Sequence, residues 1–255
     1  MTSIGGCLLD LSGVLHVGNT PLPGAHEALT RLRRLPLGLR FLTNTSRTPH
    51  AVLLTQLNRM GLEIAADELL TAPLATRSAL KQRGLRPYLL IHPHLRPDFA
   101  GLPRHRPNAV VVGDAGPYFS YQRLNRALRL LMDGAPLLAI AQNRYFMAAD
   151  GLNLDAGAFV AGLEYAAGVQ AEVIGKPAPA MFHTACAQLG LPPDQVVMVG
   201  DDVEADVLGA LEAGLQAVLV RTGKFREADL YRLATRAPCH ADIISFVREL
   251  ETGMR

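Results

Sequence analysis

The feature that most constrains this chain is a short apolar run that ends in an acid. Cys7, Leu8 and Leu9 lead directly into Asp10, and Ser12-Gly13 then breaks the run. The pattern reads as a buried strand with a carboxylate at its tip. In open parallel α/β sheets, ligands bind in the crevice at the carboxyl ends of the strands, so such an acid is placed to meet one. A strand-ending Asp is also an ordinary turn former, because its side chain accepts from nearby N–H groups. The pattern returns at Val196-Val197-Met198-Val199-Gly200, which delivers Asp201 and Asp202. Attraction of acids to a helix N-terminus accounts for Asp206 in the segment that follows. It does not account for Asp201, which sits at a strand end.

Strands and helices alternate between these two runs. Residues 25–34 read as an amphipathic helix with Ala25, Ala28, Leu29 and Leu32 on one face. Residues 39–42 form a second strand that stops at Thr43-Asn44-Thr45-Ser46, ahead of a helix over 50–60. Hydroxyl and amide groups at that point can cap the helix or hold a phosphate against its N-terminus. Further strands are expected at 69–72, 88–91, 109–113 and 136–141, with helices over 76–83, 121–132 and 159–167. Residues 17–24 and 151–157 read as loops because turn formers and glycines interrupt them. His92 and His94 also read as loop residues, since Pro93 separates them and no third metal ligand is near. Val173-Ile174 precedes Lys176, with Pro177 read as the start of the next helix. A final strand at 218–220, a Gly223-Lys224 turn and a helix over 241–250 close the chain.

Bulk composition narrows the class. The chain has 255 residues, 49% apolar and 19% charged, enough for a well-buried core in one large domain or two smaller ones. A net charge of +2, with scattered arginines, argues against a nucleic-acid partner. Cys7, Cys186 and Cys239 form no C-x-x-C pair, so neither a disulfide framework nor a zinc site is indicated, and reduced thiols fit a cytoplasmic protein. No long apolar run or secretory h-region is present, so no membrane partner is expected.

Three expected strand ends therefore carry Asp10, Thr43-Asn44 and Asp201, and a fourth carries Lys176. Carboxylates at neighbouring tips repel unless a cation lies between them. Oxygen ligands beside a phosphate select Mg2+. A carboxylate can also attack phosphorus and form an aspartyl-phosphate.

The stretches Asp10-Leu11-Ser12-Gly13, Thr43-Asn44, Gly175-Lys176-Pro177 and Gly200-Asp201-Asp202 with Asp206 occur in this order. Together they resemble the four motifs of the haloacid dehalogenase-like hydrolase superfamily, class II capped. The resemblance implies an α/β fold: a Rossmann-like parallel sheet core over residues 1–76 and 173–255, with an inserted α/β cap domain over 77–172. It implies Asp10 as nucleophile and Mg2+ ligand, the Ser12 backbone carbonyl as a second ligand, and Asp201 as a third. It further implies that Ser12, Gly13, Thr43 and Asn44 hold phosphate and that Lys176 pairs with Asp10 and the phosphoryl group. Asp206 would orient Lys176 or a water, and Asp202 takes no assigned role. Tyr88-Leu89-Leu90-Ile91-His92, Asp114-Ala115-Gly116 and Arg221-Thr222-Gly223-Lys224-Phe225 are similar to a branch of the superfamily that includes a phosphatase named for P–N and P–O–P substrates.

One position departs from the superfamily. Most of its phosphatases carry a second Asp two residues after the nucleophile as general acid and base; here that residue is Ser12. A serine hydroxyl has no proton to give near neutral pH, and such help is typically worth ~10²–10⁴ in rate. Alkyl phosphates, with poor leaving groups, should suffer most. Phosphoramidates can take a proton from solvent, and pyrophosphate leaves as a stabilised phosphate. The expected activity is therefore Mg2+-dependent hydrolysis of P–N or P–O–P bonds in a phosphorylated small molecule or phosphoprotein. The competing readings are a phosphatase of a small phosphorylated metabolite and a catalytically weak regulatory protein that binds phospho-ligands. His16 is a second candidate for the missing acid. Asn143, Arg144 and Tyr145 fall in an expected cap loop, and Leu124, Leu128 and Leu131 suit either a homodimer surface or ordinary core.

Overall fold

The computed structural model describes residues 4–148, 151–234 and 236–253. The chain divides into two compact units: Met1–Thr43, Ala51–Leu70 and Lys176–Arg255 in the first, Asn44–His50 and Thr71–Gly175 in the second.

The first unit is built on a six-stranded sheet. Its spatial order is Cys239–His240, Gln216–Val220, Val196–Gly200, Gly6–Asp10, Gly38–Thr43 and Leu69–Thr71. Gly6–Asp10 lies near the centre, parallel to Val196–Gly200 on one side and to Gly38–Thr43 on the other. Counted along the chain, the order is 3-2-1-4-5-6, the doubly wound arrangement whose ligand crevice opens where strand order reverses. That switch point lies between the strands bearing Asp10 and Asp201. Both faces of the central strands are buried, which is why they read as continuous apolar runs with little alternation. On one face Cys7, Leu9, Phe41, Val197, Val199 and Val218 share a core with residues of the helices Ala25–Leu32 and Ile243–Gly253. Phe41 is fully buried there. Phe41→Ala should cost about 3–5 kcal/mol in urea unfolding, from lost transfer energy plus the cavity left behind.

The second unit has its own four-stranded sheet, in the order Glu172–Val173, Leu137–Ala139, Ala109–Val112 and Pro87–Leu90, with every pair parallel. The helices Tyr121–Met132 and Ala156–Ala167 supply Ala127, Leu131, Val160 and Leu163 to its core. Leu131 is buried, and Leu124 and Leu128 pack half-buried against the same cluster, so this helix face serves the unit's own core. Asp114, just past Ala109–Val112, forms an ion pair with Arg47 and accepts from the Gly116 N–H at 2.9 Å.

Several sequence expectations are corrected. Residues 151–157 are not a loop: Gly151–Leu154 pairs antiparallel with Tyr145–Ala148, and Ala156–Ala167 begins directly after it. The second strand opens on Gly151 at φ 118°, so the glycine marks the start of a strand. Residues 17–24 contain a small hairpin, His16–Val17 with Thr20–Pro21. Pro93–Phe99 is a 3-10 helix, not a loop, and the His92 side chain accepts from the His94 N–H at its start. The helix expected to begin at Pro177 begins at Pro179. The sequence reading also missed the helix Asp229–Leu233 and the edge strand Cys239–His240, both too short to show a period. All three cysteines are free thiols, and among the described residues no helix is long and apolar enough to cross a membrane.

Candidate active site

Four of the residues singled out from sequence converge at the switch point. Asp10 is the last residue of Gly6–Asp10, and Asp201 directly follows Val196–Gly200 on the neighbouring strand. Lys176 is buried beside them, and its Nζ donates to Asp10 Oδ1 at 2.5 Å and to Asp206 Oδ1 at 2.6 Å. One ammonium therefore bridges two carboxylates contributed by segments far apart in sequence. A lysine in a turn is ordinarily solvated. Here only its partners make burial tolerable.

Asp206 reaches the cluster because Val203–Leu208 winds as a π-helix, a widened turn that recurs at functional sites. Gly200 is needed for that approach, since a Cβ there would collide with the Asp206 side chain. The second Asp206 oxygen accepts from the Asp202 N–H at 3.2 Å. Both of its oxygens are thus engaged within the protein, as expected of a group that orients Lys176.

The electrostatics follow from burial and crowding. Carboxylate oxygens of Asp10, Asp201 and Asp206 lie within 4.8 Å of one another. Burial pushes the Asp206 carboxyl up to about 7, against the pull of Lys176, with the charges of Asp10 and Asp201 adding to the rise. Burial, and then the charge of Asp10, lifts Asp201 to about 6, although the Lys224 N–H and ammonium oppose it. Burial alone would lower Lys176, but Asp10 and Asp206 outweigh it and hold the ammonium above its ordinary range.

Asp201 Oδ1 is buried and has no hydrogen-bond partner among the described residues. An orphaned carboxylate oxygen in a cluster of acids is costly unless a cation takes it. The donors here are all oxygen, so the residues fit a hard divalent ion of the Mg2+ type.

Asp202, left without a role by the sequence, is structural. Its Oδ1 accepts from the Glu204 and Ala205 N–H groups at 3.1 and 3.0 Å, and its Oδ2 meets Lys224 Nζ at 3.1 Å. Burial would raise its pKa, but those donors outweigh it and hold the carboxyl below its usual range.

Ser12 is exposed, just past the strand tip. His16 is nearly buried and its Nδ1 donates to the Gly18 carbonyl at 2.8 Å, so that nitrogen is committed to its own hairpin. Thr43 ends the strand adjacent to Gly6–Asp10 and is buried, whereas Asn44 begins the second unit. A pocket of about 320 Å³ adjoins Asp201 and Asp202, and Lys224, Arg226 and Arg232 contribute to its lining. The sequence reading did not anticipate these cations. The short helix Asp229–Leu233 that carries Arg232 gives no periodic signal.

The chain is similar to known proteins over nearly its whole length. A family model described as haloacid dehalogenase-like hydrolase matches residues 7–102, and one described as HAD-hydrolase-like matches residues 173–249. Haloacid dehalogenase-like hydrolase domain-containing protein 2 of Bos taurus is 46% identical over 222 residues, covering 87% of this chain and 86% of that one. This chain is a haloacid dehalogenase-like hydrolase. The phospholysine phosphohistidine inorganic pyrophosphate phosphatase of Rattus norvegicus is 42% identical over 248 residues, 95% of this chain and 92% of its own. Among solved structures, the 4-nitrophenylphosphatase of Thermotoga maritima superposes with a TM-score of 0.86 at 27% identity, covering 96% of this chain and 97% of that one. That solved structure shares the α/β fold described above.

Proposed function

We propose that this hydrolase is a Mg2+-dependent phosphatase that works through an aspartyl-phosphate on Asp10 and favours P–N or P–O–P bonds. The observation that carries the reading is the buried Lys176 ammonium bridging Asp10 and Asp206 beside the orphaned Asp201 oxygen. That arrangement sets an ammonium against the strand-tip carboxylate and leaves an unpartnered carboxylate oxygen beside it to meet a cation.

Mg2+ would be held by Asp10, Asp201 and the Ser12 backbone carbonyl, and when bound it supplies positive charge to the phosphoryl oxygens. The Asp10 carboxylate attacks phosphorus in line, the P–N or P–O bond breaks, and the leaving group departs. Its proton comes from water, since Ser12 has none to give at neutral pH. Water then hydrolyses the aspartyl-phosphate, releasing phosphate and restoring Asp10. Lys176 balances charge on the transferring group, and Asp206 holds Lys176 in place. Thr43, at the end of the strand beside Asp10, is proposed to receive phosphate oxygens, whereas the Gly13 N–H is already given to the His16 carbonyl at 2.8 Å, so Gly13 is withdrawn from that role. Asn44 is proposed for the same task from the family motif, and the second unit is proposed as the cap.

The substrate preference rests on Ser12 and agrees with the name of the rat relative. Phosphate release should be measured from imidodiphosphate beside 4-nitrophenyl phosphate and an alkyl phosphate, with and without Mg2+. Turnover greatest on the P–N substrate supports the reading. Equal or greater turnover of the alkyl phosphate would point to the small-metabolite phosphatase, and no turnover with Mg2+ bound to the regulatory protein. Ser12 is exposed, so a longer side chain fits without repacking. Ser12→Asp should raise kcat/KM on the alkyl phosphate by roughly 10²-fold by supplying the absent acid. An unchanged value would count against this role for Ser12.

A further inference from the structure

The turn after strand Gln216–Val220 is tied to both acidic strand ends by contacts the chemistry above does not use. Thr222 Oγ1 donates to the Gly13 carbonyl at 2.5 Å, and the Lys224 N–H donates to Asp201 Oδ2 at 2.7 Å. Between these two bonds, Gly13 and Gly223 face each other with positive φ of 91° and 57°. A Cβ on either would strike Asp201 Oδ2, and one on Gly13 would stand 3.0 Å from the Gly223 Cα. Asp201 Oδ2 is thus packed against two bare backbones with one N–H pointing at it, while Oδ1 has no partner among the described residues.

A buried carboxylate with one bonded and one orphaned oxygen would relax by rotating its torsion, and here the glycine backbones block that rotation. We infer that Thr222, Gly223 and the Lys224 backbone N–H form a clamp that positions Asp201, presenting Oδ1 to the catalytic cation and locking the Asp10–Gly13 loop to the same frame. The inference rests on the Mg2+ reading above and adds positioning residues to it. Partners that orient a metal ligand typically account for 10–100-fold in metal affinity.

The test is calorimetric titration of the intact protein with MgCl2, which reads affinity without turnover. Thr222→Val keeps the side-chain shape and deletes the donor. It should raise the Mg2+ dissociation constant about tenfold, with Thr222→Ser returning it to within about twofold of wild type. Gly223→Ala, which intrudes on Asp201 itself, should raise it toward the upper end of that range, about 100-fold. A merely structural tie would lower the melting temperature and leave the dissociation constant alone. Mg2+ affinity within about twofold of wild type in Thr222→Val would therefore overturn the clamp, whether or not Gly223→Ala folds. A wild-type protein that binds no Mg2+ would overturn the metal reading itself and the clamp with it.

Discussion

Replacing Asp10 by Asn should abolish turnover of every phosphorylated substrate, a loss on the order of 10⁴-fold or more by comparison with removal of other catalytic nucleophiles. An amide oxygen cannot attack phosphorus as a carboxylate does, so no aspartyl-phosphate forms. The fold should survive. Asn still offers an oxygen to Lys176, and Lys176 keeps Asp206 as a partner at 2.6 Å. Removing one of three crowded carboxylates also relieves repulsion, so in EDTA the variant should melt no lower than wild type. Phosphate release and thermal melting, measured on the same sample, check both halves. Retained turnover would remove Asp10 from the chemistry. Lost turnover with a much lower melting temperature would mean that the residue's role is structural.

Lys176→Met should be damaging in a different way. The ammonium is nearly fully buried and bonds to Asp10 and Asp206 at once. Its removal leaves buried carboxylates without that charge, and breaking a buried pair from one side costs about 3–5 kcal/mol. Urea unfolding in EDTA should show a loss of this size, because methionine replaces the length of the stem and none of the charge. Mg2+ should recover part of the stability by binding the remaining acids. Turnover should stay low even in saturating Mg2+, since in the proposed mechanism Lys176 also balances charge on the phosphoryl group. A stability loss below about 1 kcal/mol would show that Asp206 simply takes up a proton when its partner is gone, consistent with its tendency to titrate near 7.

The acids were legible in the sequence because a buried strand and a polar tip leave opposite signatures side by side. Cys7-Leu8-Leu9 before Asp10 and Val196 to Gly200 before Asp201 show an abrupt change from a buried apolar run to a carboxylate, which surface acids do not. Lys176 was less legible, since its neighbours in sequence give no hint that it is buried. Its placement followed from a family motif. Asp202 could not be read at all, because the same residue type caps helices, pairs with lysines and binds metals. The N–H groups of Glu204 and Ala205 and the Lys224 ammonium show which of these uses it serves. The hairpin at Tyr145–Ala148 and Gly151–Leu154 was hidden because glycine marks a loop and a strand start equally well.

By itself the sequence determined the longer apolar strands of the main sheet and which acids their ends carry, because hydrophobic runs and their terminators are local properties. It determined family membership as well, through four motifs kept in order. Tertiary structure alone decided that the strand ending before Asp201 lies beside the one ending in Asp10, that a π-helix turn swings Asp206 onto Lys176, and that a glycine pair walls in Asp201. Those outcomes depend on packing between segments up to about two hundred residues apart, through the sheet order that buries both faces at once. No window of neighbouring residues contains that information.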